Sequence, residues 1–286
     1  MKKSKLARLI AAICCFAMLL TACSSNQTPA ESGGDGSTTA DSEKKVLTYA
    51  IGAETTDLST LYMNNSLYCT SKLVYENLVD FDNGEIVPGL AESWEYNDDQ
   101  TELTFHLRQG VTFHNGEPFN AEAVKTNLEH KQSNPSFYSL KGITDIQEIE
   151  VVDEYTITLH YDHPFYAYLQ DFCWPDVNPM SAPEYIIPGD FQTISGVAGT
   201  GPYIYDEYVA GEYTRFVRNE DYWGETPYWD EIIVKYIPDS TSRLQALQTG
   251  EIDMIYGGTL LTYEEYDQAL AMDGIDGQMA EKDTRV

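Results

Sequence analysis

The chain has 286 residues, 42% of them hydrophobic and 22% charged, which excludes disorder throughout and leaves enough apolar material for a sizeable core. Lysine and arginine total 17 against 46 aspartate and glutamate, a balance that points away from nucleic acid, because phosphate backbones are held by positive side chains. Such acidity reads as a solvated surface that keeps an exported protein soluble.

Lys2, Lys3, Lys5 and Arg8 precede an apolar stretch from Leu9 to Leu20. The stretch is too short to span a bilayer, so residues 1–22 read as a signal peptide. Leu20-Thr21-Ala22-Cys23 closes it, and small residues before a cysteine at that place resemble the bacterial lipobox, which implies cleavage before Cys23 and its acylation. At roughly 0.8 kcal/mol per buried CH₂, two or three acyl chains hold a protein on a membrane essentially permanently. Residues 23–45 are rich in Ser, Gly, Thr and acidic residues and form an expected flexible tether. Without the leader, 13 basic side chains face 46 acidic ones, a net charge of −33.

Val46 to Ile51 is a nearly continuous apolar strand of the kind covered on both faces. Asp57 to Tyr62 follows as a loop, and Leu67 to Leu78 has apolar residues near helical spacing. Asp80-Phe81-Asp82-Asn83-Gly84-Glu85 lacks the spacing of a calcium loop and predicts a hairpin turn at Asn83-Gly84. Trp94 and Tyr96, then Leu103, Phe105 and Leu107 alternating with polar residues, predict two paired strands across the turn formers Asn97 to Gln100. Val111 to Phe113 continues as a short strand stopped by Asn115-Gly116. Asn120 is a helix N-cap with Glu122 in the first turn, Phe119 placed to staple Val124, and Val124 and Leu128 on the buried stripe.

Ile146 to Val152 and Tyr155 to Leu159 predict a further hairpin around Asp153-Glu154, and Phe165 to Phe172 a helix. Trp174 to Met180 is a stiff loop set by its prolines. Later, Asp239 or Ser240 caps a helix whose Leu244 and Leu247 face a sheet, Gly250 stops it, and Ile252 to Ile255 is the next strand.

Several of these stretches carry motifs. Pro88-Gly89-Leu90-Ala91-Glu92-Ser93-Trp94, Phe113-His114-Asn115-Gly116-Glu117-Pro118-Phe119, Gly199-Thr200-Gly201-Pro202-Tyr203 and Asn219-Glu220-Asp221-Tyr222-Trp223-Gly224 resemble the solute-binding proteins that feed bacterial peptide and nickel ABC importers, extracellular solute-binding protein family 5. The resemblance runs from about Val46 to the end of the sequence. It implies an α/β fold of the type II periplasmic-binding-protein class, here lobe one only with an inserted mixed α+β subdomain. Residues 46–61 and 193–279 would form the main sheet subdomain, 62–192 the insertion, and 280–286 the start of a crossover to an absent second lobe, as in a fragment or a truncated gene. With half of the cleft missing, these 286 residues alone are expected to bind ligand weakly or not at all.

The resemblance also implies the role: capture of a peptide or a chelated nickel ion outside the cytoplasmic membrane and delivery to ABC permease subunits, by a lipid-anchored monomer with no cofactor and no bond made or broken. Tyr62, Tyr68, Phe137, Tyr138, Trp174, Asp176 and Asn178 lie on segments that, by the resemblance, face the cleft, where aromatic walls and a few polar groups would hold the solute. In nickel-binding members an arginine helps from the loop corresponding to Trp174 to Met180, and that loop has none here.

An enzyme would need an activated nucleophile or an open metal position, and the chain has no Gly-x-Ser-x-Gly, His-Glu-x-x-His or cysteine pair at metal spacing. His160 and His163 are closely spaced, but at a strand end they point to opposite faces. Cys69 and Cys173 read as two buried thiols or a disulfide. The alternative classes are a non-transporting lipoprotein, a sensor or a remnant, and an exported enzyme.

Overall fold

A computed structural model describes residues 44–55, 58, 60, 69–164, 167–174, 178–190, 195–257 and 260–278. Among them two sheets carry the architecture. The first is mixed and runs β11-β1-β10-β9-β8, with β1 (Val46–Ile51), β8 (Tyr203–Val209), β9 (Tyr213–Arg218), β10 (Glu231–Tyr236) and β11 (Met254–Ile255). β1 lies parallel to both of its neighbours, β10 and β11. Alternate side chains of a strand point to opposite faces: Tyr49 and Ile51 join one core with Val74, Tyr75, Phe216 and Val234, while Ala50 joins another with Ala246 and Ile252. An almost unbroken apolar run is therefore what this central position requires.

The second sheet is antiparallel, in the order β4-β5-β7-β6: β4 (Ala91–Tyr96), β5 (Glu102–Leu107), β6 (Ile146–Asp153) and β7 (Thr156–Tyr161). Leu103, Phe105 and Leu107 are buried and the residues between them are half-exposed, so the alternation in the sequence is the alternation of the sheet. The Phe105 ring meets Phe172 edge-on at 5.3 Å. On the opposite face the Thr104 and Thr158 hydroxyls share a 2.8 Å, partly buried hydrogen bond across β5 and β7. A separate hairpin, β2 (Val79–Asp82) with β3 (Glu85–Pro88), turns at Asn83 and Gly84 with φ of 49° and 89°, the left-handed pair that Asn-Gly accepts at little cost.

Helix α2 (Ala121–Ser133) covers the second sheet. Asn120 is extended and its Oδ1 accepts the Ala123 N–H at 3.0 Å. Asn120→Ala is expected to lower global stability by about 1 kcal/mol in urea unfolding; an unchanged midpoint would show that the cap is replaced by solvent.

Three elements depart from the sequence expectation. Among the described residues the helix expected over Leu67 to Leu78 is α1 (Ser71–Val74), ending early because Tyr75 turns extended at φ −119° and ψ 152° and carries the next residue away to a partner described below. Val111 to Phe113 is reduced to a bridge between Thr112 and Pro118. The described part of 165–172 is a short 3₁₀ helix, Tyr168–Phe172.

Candidate functional site

In open α/β sheets ligands bind beyond the carboxyl ends of the parallel strands. At that end of β1, β10 and β11 the aromatic rings of Tyr49 and Tyr256 meet edge-on at 5.9 Å, and the Tyr49 hydroxyl donates to Cys69 O at 2.7 Å. Burial pushes the Tyr49 phenol well above its ordinary value, so this hydroxyl stays a donor. Helix α4 (Ser240–Gln248) begins here, its N-cap Asp239 accepting the Ser242 N–H. From it the buried Arg243 donates to Ile237 O and, through Nε at 3.1 Å and Nη2, to Leu260 O. Burial works against the guanidinium charge, and Asp239 and Glu265 offset it.

The second part of the site converges on Glu76. Its Oε2 accepts from Thr200 Oγ1 at 2.8 Å and from the Trp223 indole N–H at 2.7 Å, and its Oε1 accepts from the Tyr222 hydroxyl at 2.8 Å. Burial pushes this carboxyl up from its ordinary value, and the three donors pull it partway back. Arg108 in turn lies 4.3 Å over the Trp223 ring, a cation–π contact, while donating to Gly89 O. The backbone of Glu76 serves too: its carbonyl accepts the Met180 N–H at 2.9 Å. One residue, through its carboxylate and its backbone carbonyl, thus joins the end of α1, the Gly-Thr-Gly-Pro-Tyr turn, the Tyr222-Trp223 pair and the chain at Met180.

That last segment is also tied to α2. Asn127 donates to Ser181 O at 2.8 Å and accepts the Ser181 N–H at 2.9 Å. Lys131, 1% exposed, donates from Nζ to Asn178 Oδ1 at 3.0 Å and to Pro179 O at 2.7 Å. The Asn178 N–H donates to Trp174 O at 3.0 Å.

Of the residues singled out in the sequence, Tyr62, Tyr68, Asp176 and the lipidation residue Cys23 lie outside the described residues. Tyr138 and Trp174 present exposed rings, 74% and 46%. Phe137 is fully buried with Leu140 and Ile143 in a small core of its own, and Asn178 is fully buried against Lys131. Trp174 and Asn178 are brought together; Phe137 and Tyr138 belong to the turn after α2. Glu76, Lys131 and Arg243 escaped the sequence reading. For Glu76 the available signal was a single ionisable residue among apolar neighbours, in Val74-Tyr75-Glu76-Asn77-Leu78; Lys131 and Arg243 stand in polar runs that carry no such signal.

The two histidines do not converge. His160 contacts Glu150 at 2.9 Å, and His163 contacts Asp162. Among the described residues no group of three or more histidine, cysteine or carboxylate side chains is arranged to hold a metal ion. Cys69 and Cys173 are both free thiols; burial pushes the Cys173 thiol up to about 11, which keeps it protonated and unreactive.

Known structures resemble this arrangement. NikA from Brucella suis in complex with Fe(III)-EDTA superposes with a TM-score of 0.73 at 33% identity, covering 79% of this chain and 46% of that one. The periplasmic binding protein DppA from Helicobacter pylori in complex with the peptide STSA gives 0.69 at 27% identity, covering 80% and 49%. The fold is that of type II periplasmic binding proteins of the peptide and nickel class. The nickel-binding periplasmic protein of Escherichia coli is 36% identical over 205 residues, 69% of this chain and 38% of that protein. The chain spans less than half the length of each of these relatives. Residues 85–282 match the bacterial extracellular solute-binding proteins, family 5 Middle, and the chain belongs to that family.

Proposed function

We propose that this chain supplies the solute-capturing lobe of an ABC importer's substrate-binding lipoprotein, taking up peptides or a chelated nickel ion outside the cytoplasmic membrane and handing them to the permease. The observation that carries this reading is the likeness, over more than two thirds of the chain, to a nickel-binding periplasmic protein, with a peptide complex among the structures it resembles. Residues 46–61 and 193–279 act as the main subdomain and 62–192 as the insertion, with residues 1–22 removed and Cys23 acylated at the head of the tether 23–45. Tyr62, Tyr68, Phe137, Tyr138, Trp174, Asp176 and Asn178 are the ligand-binding residues of this reading.

Deletion of the gene should abolish uptake of either radiolabelled nickel or labelled small peptides by intact cells, and plasmid-borne copies should restore it. Unchanged uptake of both would overturn the reading in favour of a sensor or remnant. Labelled palmitate should enter the wild-type chain and be absent from Cys23→Ser.

A further inference from the structure

The segment Asn178 to Ser181 sits beside α2 through four hydrogen bonds: Asn127 donates one and accepts one, and Lys131 donates two. The partners of Lys131 are an amide oxygen and a peptide carbonyl, both neutral. A neutral amine has two N–H groups and an ammonium three, so the two acceptors match the neutral form. A charge at this depth without a counter-charge is costly. Burial accordingly pulls the amine down to about 7.

The orientation of Asn178 follows from the same contact. With Oδ1 accepting from Lys131, the buried Nδ2 is fixed on the other side of the amide as a donor, and among the described residues it meets no acceptor. Other ionisable side chains near α2 are His130, the adjacent buried residue; Glu148 and Glu150 on β6; His160 on β7; Lys141 and Asp145 on α3 (Lys141–Thr144) and its cap; and Glu184. His160 is held by Glu150, Asp145 by Lys141, and Glu184 by Asn115. None forms an ion pair with Lys131 among the described residues.

We infer that Lys131 is a positioning residue for the ligand loop: as a neutral amine it latches Asn178 to Ser181 onto α2 and aims the Asn178 amide, and its protonation releases the latch, so that solute capture is linked to a proton. The inference rests on the proposed function for its meaning in capture, but its geometry stands without a ligand. Its sign is fixed. The folded protein gives up this proton near pH 7 and the unfolded chain near 10.5, so between these values the unfolded state holds more protons and stability rises with pH.

Amide hydrogen exchange of the 286-residue chain at several pH values from 6 to 9 reads the latch directly. Protection factors of Met180, Ser181 and Ala182, corrected for intrinsic exchange, should fall at least about tenfold as pH drops from 9 to 7 and level off below 7, while those of Leu103 and Phe105 in the core stay higher at every pH. Lys131→Met should remove the pH dependence, His130→Gln should keep it, and Lys131→Arg, permanently charged, should show low protection at every pH. A flat wild-type profile, or one that persists in Lys131→Met, overturns the latch. Because exchange needs no ligand, that failure differs from unchanged uptake in the gene deletion, which overturns solute capture alone.

Discussion

Gly199→Ala should destabilise the folded chain by more than about 3 kcal/mol, a loss visible as a large fall in thermal midpoint. A methyl group at Gly199 would lie 2.0 Å from Val74 O and 2.6 Å from the Tyr75 ring. The obstacle is backbone, and the backbone is held in place: Gly201 N–H donates to Val74 O at 2.9 Å, and His114 N–H donates to Gly199 O at 2.8 Å. Relief would require breaking the joint between the end of α1 and the Gly-Thr-Gly-Pro-Tyr turn. A shift below about 2 °C would mean that the turn moves aside freely, and the close approach would then lose its structural weight.

Glu76→Ala should cost about 3 to 5 kcal/mol, because it leaves the Thr200 hydroxyl, the Tyr222 hydroxyl and the Trp223 indole without their common acceptor in a largely buried place. Glu76→Gln is expected to lose less than half as much. Its amide oxygen still accepts from Thr200 and Trp223, and Tyr222 can turn to accept from the amide nitrogen. Urea unfolding of the two variants separates the roles, and equal losses would show that the charge and not the acceptor matters. The pH dependence has a definite direction. Since burial raises the Glu76 carboxyl in the folded state, the native protein holds this proton to higher pH than the unfolded chain, and stability falls as pH rises from about 4.5 through the folded value. Glu76→Gln should remove that component.

The local chemistry was legible in the sequence. The Asn83-Gly84 turn, the alternation of Leu103, Phe105 and Leu107, and the caps Asn120 and Asp239 all rest on contacts within a few residues. What the sequence hid was long-range. Thr200, Tyr222 and Trp223 reach Glu76 from 124, 146 and 147 residues away, and no periodicity encodes such meetings. They also explain the shortened first helix, for helical propensity around Leu73 to Leu78 gives way to a carboxylate with three distant donors. Lys131 was hidden for a related reason: it lies on a helix with several charged residues, and only the path of Asn178 to Ser181 makes it buried.

The place of β1 between β10 and β11 also dictates an order of events in time. The contact from the Thr48 N–H to the Asp253 carboxylate spans 205 residues, whereas Thr104 and Thr158, in the other sheet, are 54 apart. Nearby partners meet sooner, because closing a long loop costs more chain entropy before any contact rewards it. At synthesis rates of about 5 to 20 residues per second, β1 leaves the ribosome on the order of ten seconds or more before its flanking strands exist. The antiparallel sheet is therefore the natural first nucleus, and Val46–Ile51, apolar on both faces and open on both edges, is the stretch a chaperone has most reason to shield until the last strands arrive.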